Sequence, residues 1–282
     1  MSLFMAAKRS VKAPLNILGL PYDGTASFRP GARFGPPAIR EAVWGLETYD
    51  PALELDLEDL EICDWEDIEI PFGSPSRALA TIETFLSANF EVGQKILALG
   101  GEHLLSLPMI MRLAEIYGKE RLWVVQFDAH ADLRTDYLGE PLSHACIIRR
   151  VADILGFKRI RQLGIRSGTK EEWAIIREQK TLVTIEEEAL AALKKQIGED
   201  PLYITVDLDA LDPSVMPGTG TPEPGGISFN SLNSALMAFR GLNIVGADAM
   251  ELAPNLDTSG VSSVTAAKIA RTLLLIMSER SA

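Results

Sequence analysis

Hydrophobic residues fall along this chain in short unbroken runs, separated by longer stretches in which apolar positions recur every three or four residues. The runs at 15–20, 96–99, 122–127, 160–164, 202–206 and 243–247 are continuous rather than alternating, as in strands buried on both faces. The stretches at 37–44, 76–88, 105–117, 144–155, 170–178, 185–197, 231–239 and 264–277 have helical periodicity. Strands and helices in alternation predict an α/β fold with a parallel sheet covered by helices on both faces. The acidic segment 58–70 fits neither period and is expected to form a solvated edge or loop. Pro and Gly gather at 19–37 and 213–226, inside the alternating series, so both stretches read as functional loops. With no linker in view, one domain over 1–282 is expected.

Three of the apolar runs end on groups with a common chemistry. The run at 122–127 leads into Asp128-Ala129-His130-Ala131-Asp132, the run at 202–206 into Asp207-Leu208-Asp209, and the run at 96–99 into Gly100-Gly101-Glu102-His103. Side chains alternate along extended backbone, so Asp128, His130 and Asp132 are expected to converge while the alanines stay behind them. Asp207 and Asp209 repeat that spacing. Four carboxylates and two imidazoles exceed what one ion needs, and together without cations they would repel at a cost of several kcal/mol. Two divalent ions sharing carboxylates meet both points. Oxygen-rich ligation without thiolate favours Mn²⁺, and the spacing is equally open to Zn²⁺, Fe²⁺, Co²⁺ or Ni²⁺. Ligands of a parallel sheet gather outside the carboxyl ends of its strands, where all three clusters fall.

Charge and cysteine content narrow the field. A formal net charge of −12, from 39 acidic and 27 basic residues, opposes a nucleic-acid partner and is compatible with a cationic substrate. Cys63 and Cys146 are too few for a disulfide framework, and Cys146 reads as a small buried hydrophobe. No signal peptide and no apolar run long enough to cross a membrane is read from the sequence, so a cytoplasmic protein without a membrane partner is expected. The glycine pair at 100–101 lacks the lysine and spacing of a nucleotide site, and the three histidines leave none over for a Ser-His-Asp or Cys-His arrangement.

The ordered segments Gly100-Gly101-Glu102-His103, Asp128-Ala129-His130-Ala131-Asp132, Ser143-His144 and 205–226, with 29–36 and 250–254, resemble the signature motifs of the ureohydrolases, the arginase and agmatinase family. The resemblance runs from Leu15 to about Met277. It implies a single three-layer α/β/α sandwich with a mainly parallel sheet, assembled as a homotrimer or homohexamer, and a binuclear manganese centre that hydrolyses a guanidinium by attack of a metal-bridging hydroxide. One metal would be held by His103, Asp128, Asp132 and Asp207, the other by Asp128, His130, Asp207 and Asp209. Glu251 would bind the guanidinium, Asp132 would carry a proton to the leaving nitrogen, and His144 would relay protons near the mouth, with Ser143 also able to cap the helix that follows. The segment 216–222 reads as a pocket wall, with Met216 replacing a residue that is usually small and narrowing the pocket, and with Asp212 as a brace.

The loop 133–143 lacks the asparagine that arginases use to hold the substrate's amino-acid head, which disfavours arginine and points to agmatine, cleaved to urea and putrescine. Asp136, Glu140 or Glu223 could offset the agmatine ammonium. The run Asp132-Leu133-Arg134 also suits formimidoylglutamate, where the arginine pairs with a carboxylate, and guanidinobutyrate or another small guanidine is a further alternative. A non-catalytic, metal-binding regulatory homologue is a reading of another class, opposed by the intact ligands, His144 and Glu251.

Overall fold

The computed structural model describes residues 3–9 and 13–279; the other positions of the expected 1–282 domain lie outside the described residues. Its centre is a seven-stranded, wholly parallel sheet. In chain order the strands are β1 (Leu15–Leu20), the short antiparallel pair β2 (Tyr49–Asp50) and β3 (Leu55–Asp56) outside the main sheet, then β4 (Ile62–Asp67), β5 (Lys95–Gly100), β6 (Trp123–Phe127), β7 (Ile160–Leu163), β8 (Leu202–Asp207) and β9 (Ile244–Met250). The sheet order is β4-β1-β5-β9-β8-β6-β7. Every residue of β1, β6, β8 and β9 is buried, so the continuous apolar runs are explained by two covered faces.

Eight helices surround the sheet among the described residues: α1 (Gly35–Ala42), α2 (Pro75–Asn89), α3 (Ser106–Tyr117), α4 (Ile147–Leu155), α5 (Lys170–Gln179), α6 (Glu187–Ile197), α7 (Phe229–Ala238) and α8 (Val261–Ser278). Two apolar clusters form the layers between helix and strand. One gathers Leu15, Leu97, Val125, Ile204 and Ala247 with residues of α6, α7 and α8; the other gathers Leu18, Ala98, Val124 and Tyr203 with α2, α3 and α4. Each strand therefore sends alternate side chains to opposite layers, giving the expected three-layer α/β/α architecture.

Two sequence expectations change. Segment 58–70, expected as a solvated edge or loop, does supply an edge, since 62–67 forms β4 at one side of the sheet, but the strand is half-buried rather than solvated. Its inner residues Ile62, Cys63 and Asp64 are buried, and Asp64 receives two hydrogen bonds from the buried Arg40 guanidinium, at 2.8 and 2.9 Å. Acidic residues here serve an internal ion pair, which apolar periodicity does not report. Second, α8 is long and apolar enough to cross a membrane by length and composition, with a mean hydropathy of 1.3 over 18 residues, against the reading that no such run exists. It lies instead as a core helix against α1, α7 and β9, and its Arg271 is buried on Asp50 at 2.9 Å.

Candidate metal centre and active site

The carboxyl ends of β5, β6, β8 and β9 open onto one cavity of about 320 Å³. His103, His130, Asp132, His144, Asp207 and Glu251 all line it. His103 is delivered immediately after β5 by a tight turn. A Cβ on Gly101 would lie 2.0 Å from the Tyr22 carbonyl oxygen, so only glycine lets the chain pass there. Asp128 and Asp207 stand at the ends of β6 and β8, on strands paired in register.

The segment from Asp128 to Asp132 does not converge by strand alternation alone. It leaves the sheet after Phe127, and Asp132 takes a left-handed conformation with φ 54° that turns its carboxylate back towards Asp128. His103 Nδ1 then lies 3.1 Å from Asp128 Oδ2, 3.1 Å from Asp132 Oδ2 and 3.4 Å from Asp207 Oδ2. His130 Nδ1 lies 3.0 Å from Asp209 Oδ2 and 3.6 Å from Asp128 Oδ1. Two groups with cation-binding geometry result, His103-Asp128-Asp132 and Asp128-His130-Asp209, and Asp128 belongs to both. Asp207 lies beside the first group, while its Oδ1 accepts the Asp209 backbone N–H at 2.9 Å.

The donor set fits divalent cations. His103 Nδ1 is buried and has no hydrogen-bond partner, although three carboxylates surround it. Its other nitrogen, Nε2, is 2.8 Å from Thr205 Oγ1, and that hydroxyl gives its only proton to Asp248 Oδ1 at 2.7 Å. Thr205 must therefore accept from Nε2–H, which leaves the Nδ1 lone pair directed at the carboxylate cluster, as a metal ligand requires. Tyr203 donates to the second Asp248 oxygen at 2.7 Å.

Without cations the cluster holds protons. Burial, then the charges of Asp209 and Asp128, drive Asp207 well above the ordinary carboxylate range, and burial with the Asp128 charge raises Asp132 to about 7. His130 rises to about 12, its burial outweighed by the hydrogen bonds its ring N–H donates to Asp128 and Asp209. Glu251 rises to about 8 through burial and the charge of Glu102, and Glu102 itself is pushed up to about 7 by burial. His144 goes the other way, down to about 4, through burial and the neighbouring His130 and His103. It is neutral at physiological pH.

Glu251 follows β9 directly with φ 68°, and its Oε1 accepts the His103 backbone N–H at 2.7 Å. Two non-glycine residues with positive φ thus sit in the cavity, Asp132 and Glu251, a placement typical of functional backbone. His144 opens a short 3-10 turn before α4. Ser143 makes no side-chain cap to it and instead donates to Cys146 Sγ at 3.3 Å.

Several second-rank expectations change. Met216 is fully buried in the apolar core rather than narrowing the cavity, and of the segment 216–222 Thr221 lines the wall, 3.3 Å from Asp209 Oδ2. Asp212 does brace this loop, accepting from Ser214, Gly225 and Gly226. Asp136, Glu140 and Glu223 do not line the cavity; Asp136 and Glu140 accept loop N–H groups of Gly139 and Leu142. The acidic group on that wall is Glu172, which receives the backbone N–H groups of Leu133 and Thr169. Beside it Arg134 lies 3.8 Å from the Glu172 carboxylate and 4.9 Å from the Tyr137 ring centroid.

Sequence reasoning also missed Thr25, Ser27, Thr205, Asp248 and Arg166. Thr205 had a signal, since it lies two residues before Asp207 on the same strand face. Arg166 had none: its guanidinium gathers the carbonyls of Asp209, Ala210 and Glu223, holding the loop that carries Asp209.

Comparison with known proteins agrees with this architecture. The Arginase family model matches residues 13–276. The agmatinase of Bacillus subtilis is 43% identical over 263 residues, spanning 92% of this chain and 90% of that protein. The N(1)-aminopropylagmatine ureohydrolase of Thermococcus kodakarensis is 37% identical over 265 residues, spanning 92% and 88%. A solved structure from Clostridium difficile superposes with a TM-score of 0.89 at 42% identity, over 94% of this chain and 97% of that one. The chain belongs to the arginase family and is a hydrolase of that family.

Proposed function

We propose that the chain is an agmatinase that hydrolyses the guanidinium group of agmatine to urea and putrescine with two divalent cations, Mn²⁺ foremost. The observation that carries this reading is one cavity containing both a buried carboxylate and imidazole cluster and the Glu251 carboxylate, in a chain 43% identical to the Bacillus subtilis agmatinase. His103, Asp128, Asp132 and Asp207 would hold one cation and Asp128, His130, Asp207 and Asp209 the other. When bound, the two cations supply an acidified water and positive charge where negative charge develops.

The protein's own groups do the rest. Glu251 receives the planar guanidinium through paired N–H donors and holds it in place for attack. Asp132 takes the proton of the attacking water and gives it to the nitrogen that departs, because an alkylamine leaves only when protonated. His144, neutral and at the cavity mouth, accepts a proton on its way to or from solvent. A homotrimer or homohexamer belongs to the same proposal; a monomeric mass by sedimentation would contradict it.

One observation favours a second substrate class. Arg134 lines the same cavity as the cluster and offers a cation with which the carboxylate of a guanidino acid would pair. Urea release from agmatine, arginine and guanidinobutyrate, with formamide release from formimidoylglutamate, separates the readings. Preference for agmatine is expected; preference for any of the three acids would move the assignment to a substrate whose carboxylate pairs with Arg134.

A further inference from the structure

The loop after β1 brings two hydroxyls to His144. Thr25 Oγ1 lies 2.8 Å from Glu102 Oε1, 3.2 Å from His144 Nδ1 and 3.1 Å from the His144 backbone nitrogen. A hydroxyl has one proton and two lone pairs to satisfy three partners. Glu102 is fully buried and turns both carboxylate oxygens to Thr25, Oε2 accepting the backbone N–H at 2.7 Å, so the carboxylate takes the hydroxyl proton. The His144 backbone N–H fills one lone pair. Only the other remains for the imidazole, and Nδ1 must then bring the proton. In a neutral ring Nε2 is left as the acceptor, with Ser27 Oγ 3.3 Å away to donate to it.

The geometry points to a tautomer clamp in which Glu102, acting through the Thr25 hydroxyl, keeps the His144 proton on Nδ1 and leaves Nε2 to take a proton in the cavity. Thr25 and Glu102 are positioning residues, since neither reaches the reacting atoms. The clamp rests on the reading of His144 as the proton-transfer group. It parallels the Thr205 and Asp248 pair that orients His103, with the same chemistry of a buried carboxylate claiming a threonine proton.

Imidazole ¹⁵N spectra test it on protein labelled at histidine and loaded with diamagnetic Zn²⁺, at pH about 8.5, alkaline of the ordinary carboxylate range. The chain has three histidines, and His144→Asn identifies the third ring by loss of its signals. A protonated Nδ1 and bare Nε2 are expected in the unsubstituted protein and in Thr25→Ser, which keeps the hydroxyl. Glu102→Gln presents an N–H donor to Thr25, turns the hydroxyl round and moves the proton to Nε2. With agmatine its kcat should fall about tenfold or more while KM stays within about twofold. Thr25→Val leaves Glu102 in place and should abolish the Nδ1 preference, which decides the matter if Glu102→Gln does not fold. An Nε2–H tautomer in the unsubstituted protein, or an unchanged tautomer in Thr25→Val, would overturn the clamp. The spectra need no turnover, so a failed clamp and a wrong substrate give different results.

Discussion

At the scale of single residues, the site is a set of groups whose burial would be costly unless cations joined them. Asp128, Asp207 and Asp209 are almost fully buried, and His103 Nδ1 faces carboxylates without a hydrogen bond. Because burial and mutual repulsion raise Asp132 to about 7 and push Asp207 well above the ordinary carboxylate range, cations compete with protons for these oxygens. Metal affinity should therefore rise as pH climbs through about 7 and weaken below it. Calorimetric titration in buffers of different ionisation enthalpy measures the protons released, and binding that releases none would count against the assigned ligands. Glu251 has a different task. Its carboxylate faces the cavity outside both cation groups, so Glu251→Gln should keep its metal content while kcat/KM drops about a hundredfold through lost substrate positioning. Loss of metal in that variant, measured by elemental analysis, would make Glu251 a structural member of the cluster instead.

At the scale of elements, pairing of β8 with β9 does as much for the site as the ligands themselves. Thr205 and Asp248 are partners across that register, and their hydrogen bond fixes which His103 nitrogen faces the cluster. Thr205→Val preserves shape in the strand but leaves the His103 Nε2–H without its acceptor, while Asp248 Oδ1 keeps the Val206 backbone N–H, and metal affinity should fall about tenfold to a hundredfold. An unchanged Kd for Mn²⁺ would mean that the Nδ1 lone pair needs no such support. The strands carrying the ligands were legible in the sequence because they are buried on both faces and read as unbroken apolar runs, and the ligands lie where those runs stop. β4 was not legible. Its Asp64 and Asp67 answer Arg40 across more than twenty residues, a pairing with no local period. Thr25 and Ser27 were hidden for the same reason, since their meaning comes from His144, over a hundred residues away.

At the scale of the whole molecule, a parallel sheet collects four strand ends at one side, and the helices close both faces behind them. The apolar layers stabilise an arrangement that the acidic site by itself opposes, so the concentrated charge is tolerated by the fold and becomes useful only with cations. The most direct test of the proposed activity is turnover by protein stripped of metal and then reloaded with Mn²⁺, scoring bound metal, urea and putrescine together with agmatine as substrate. Two ions per chain, no activity in the stripped protein, and urea and putrescine released in equal amounts after reloading are the predicted result. Full activity after exhaustive chelation, or two bound ions with no urea from agmatine, would contradict it.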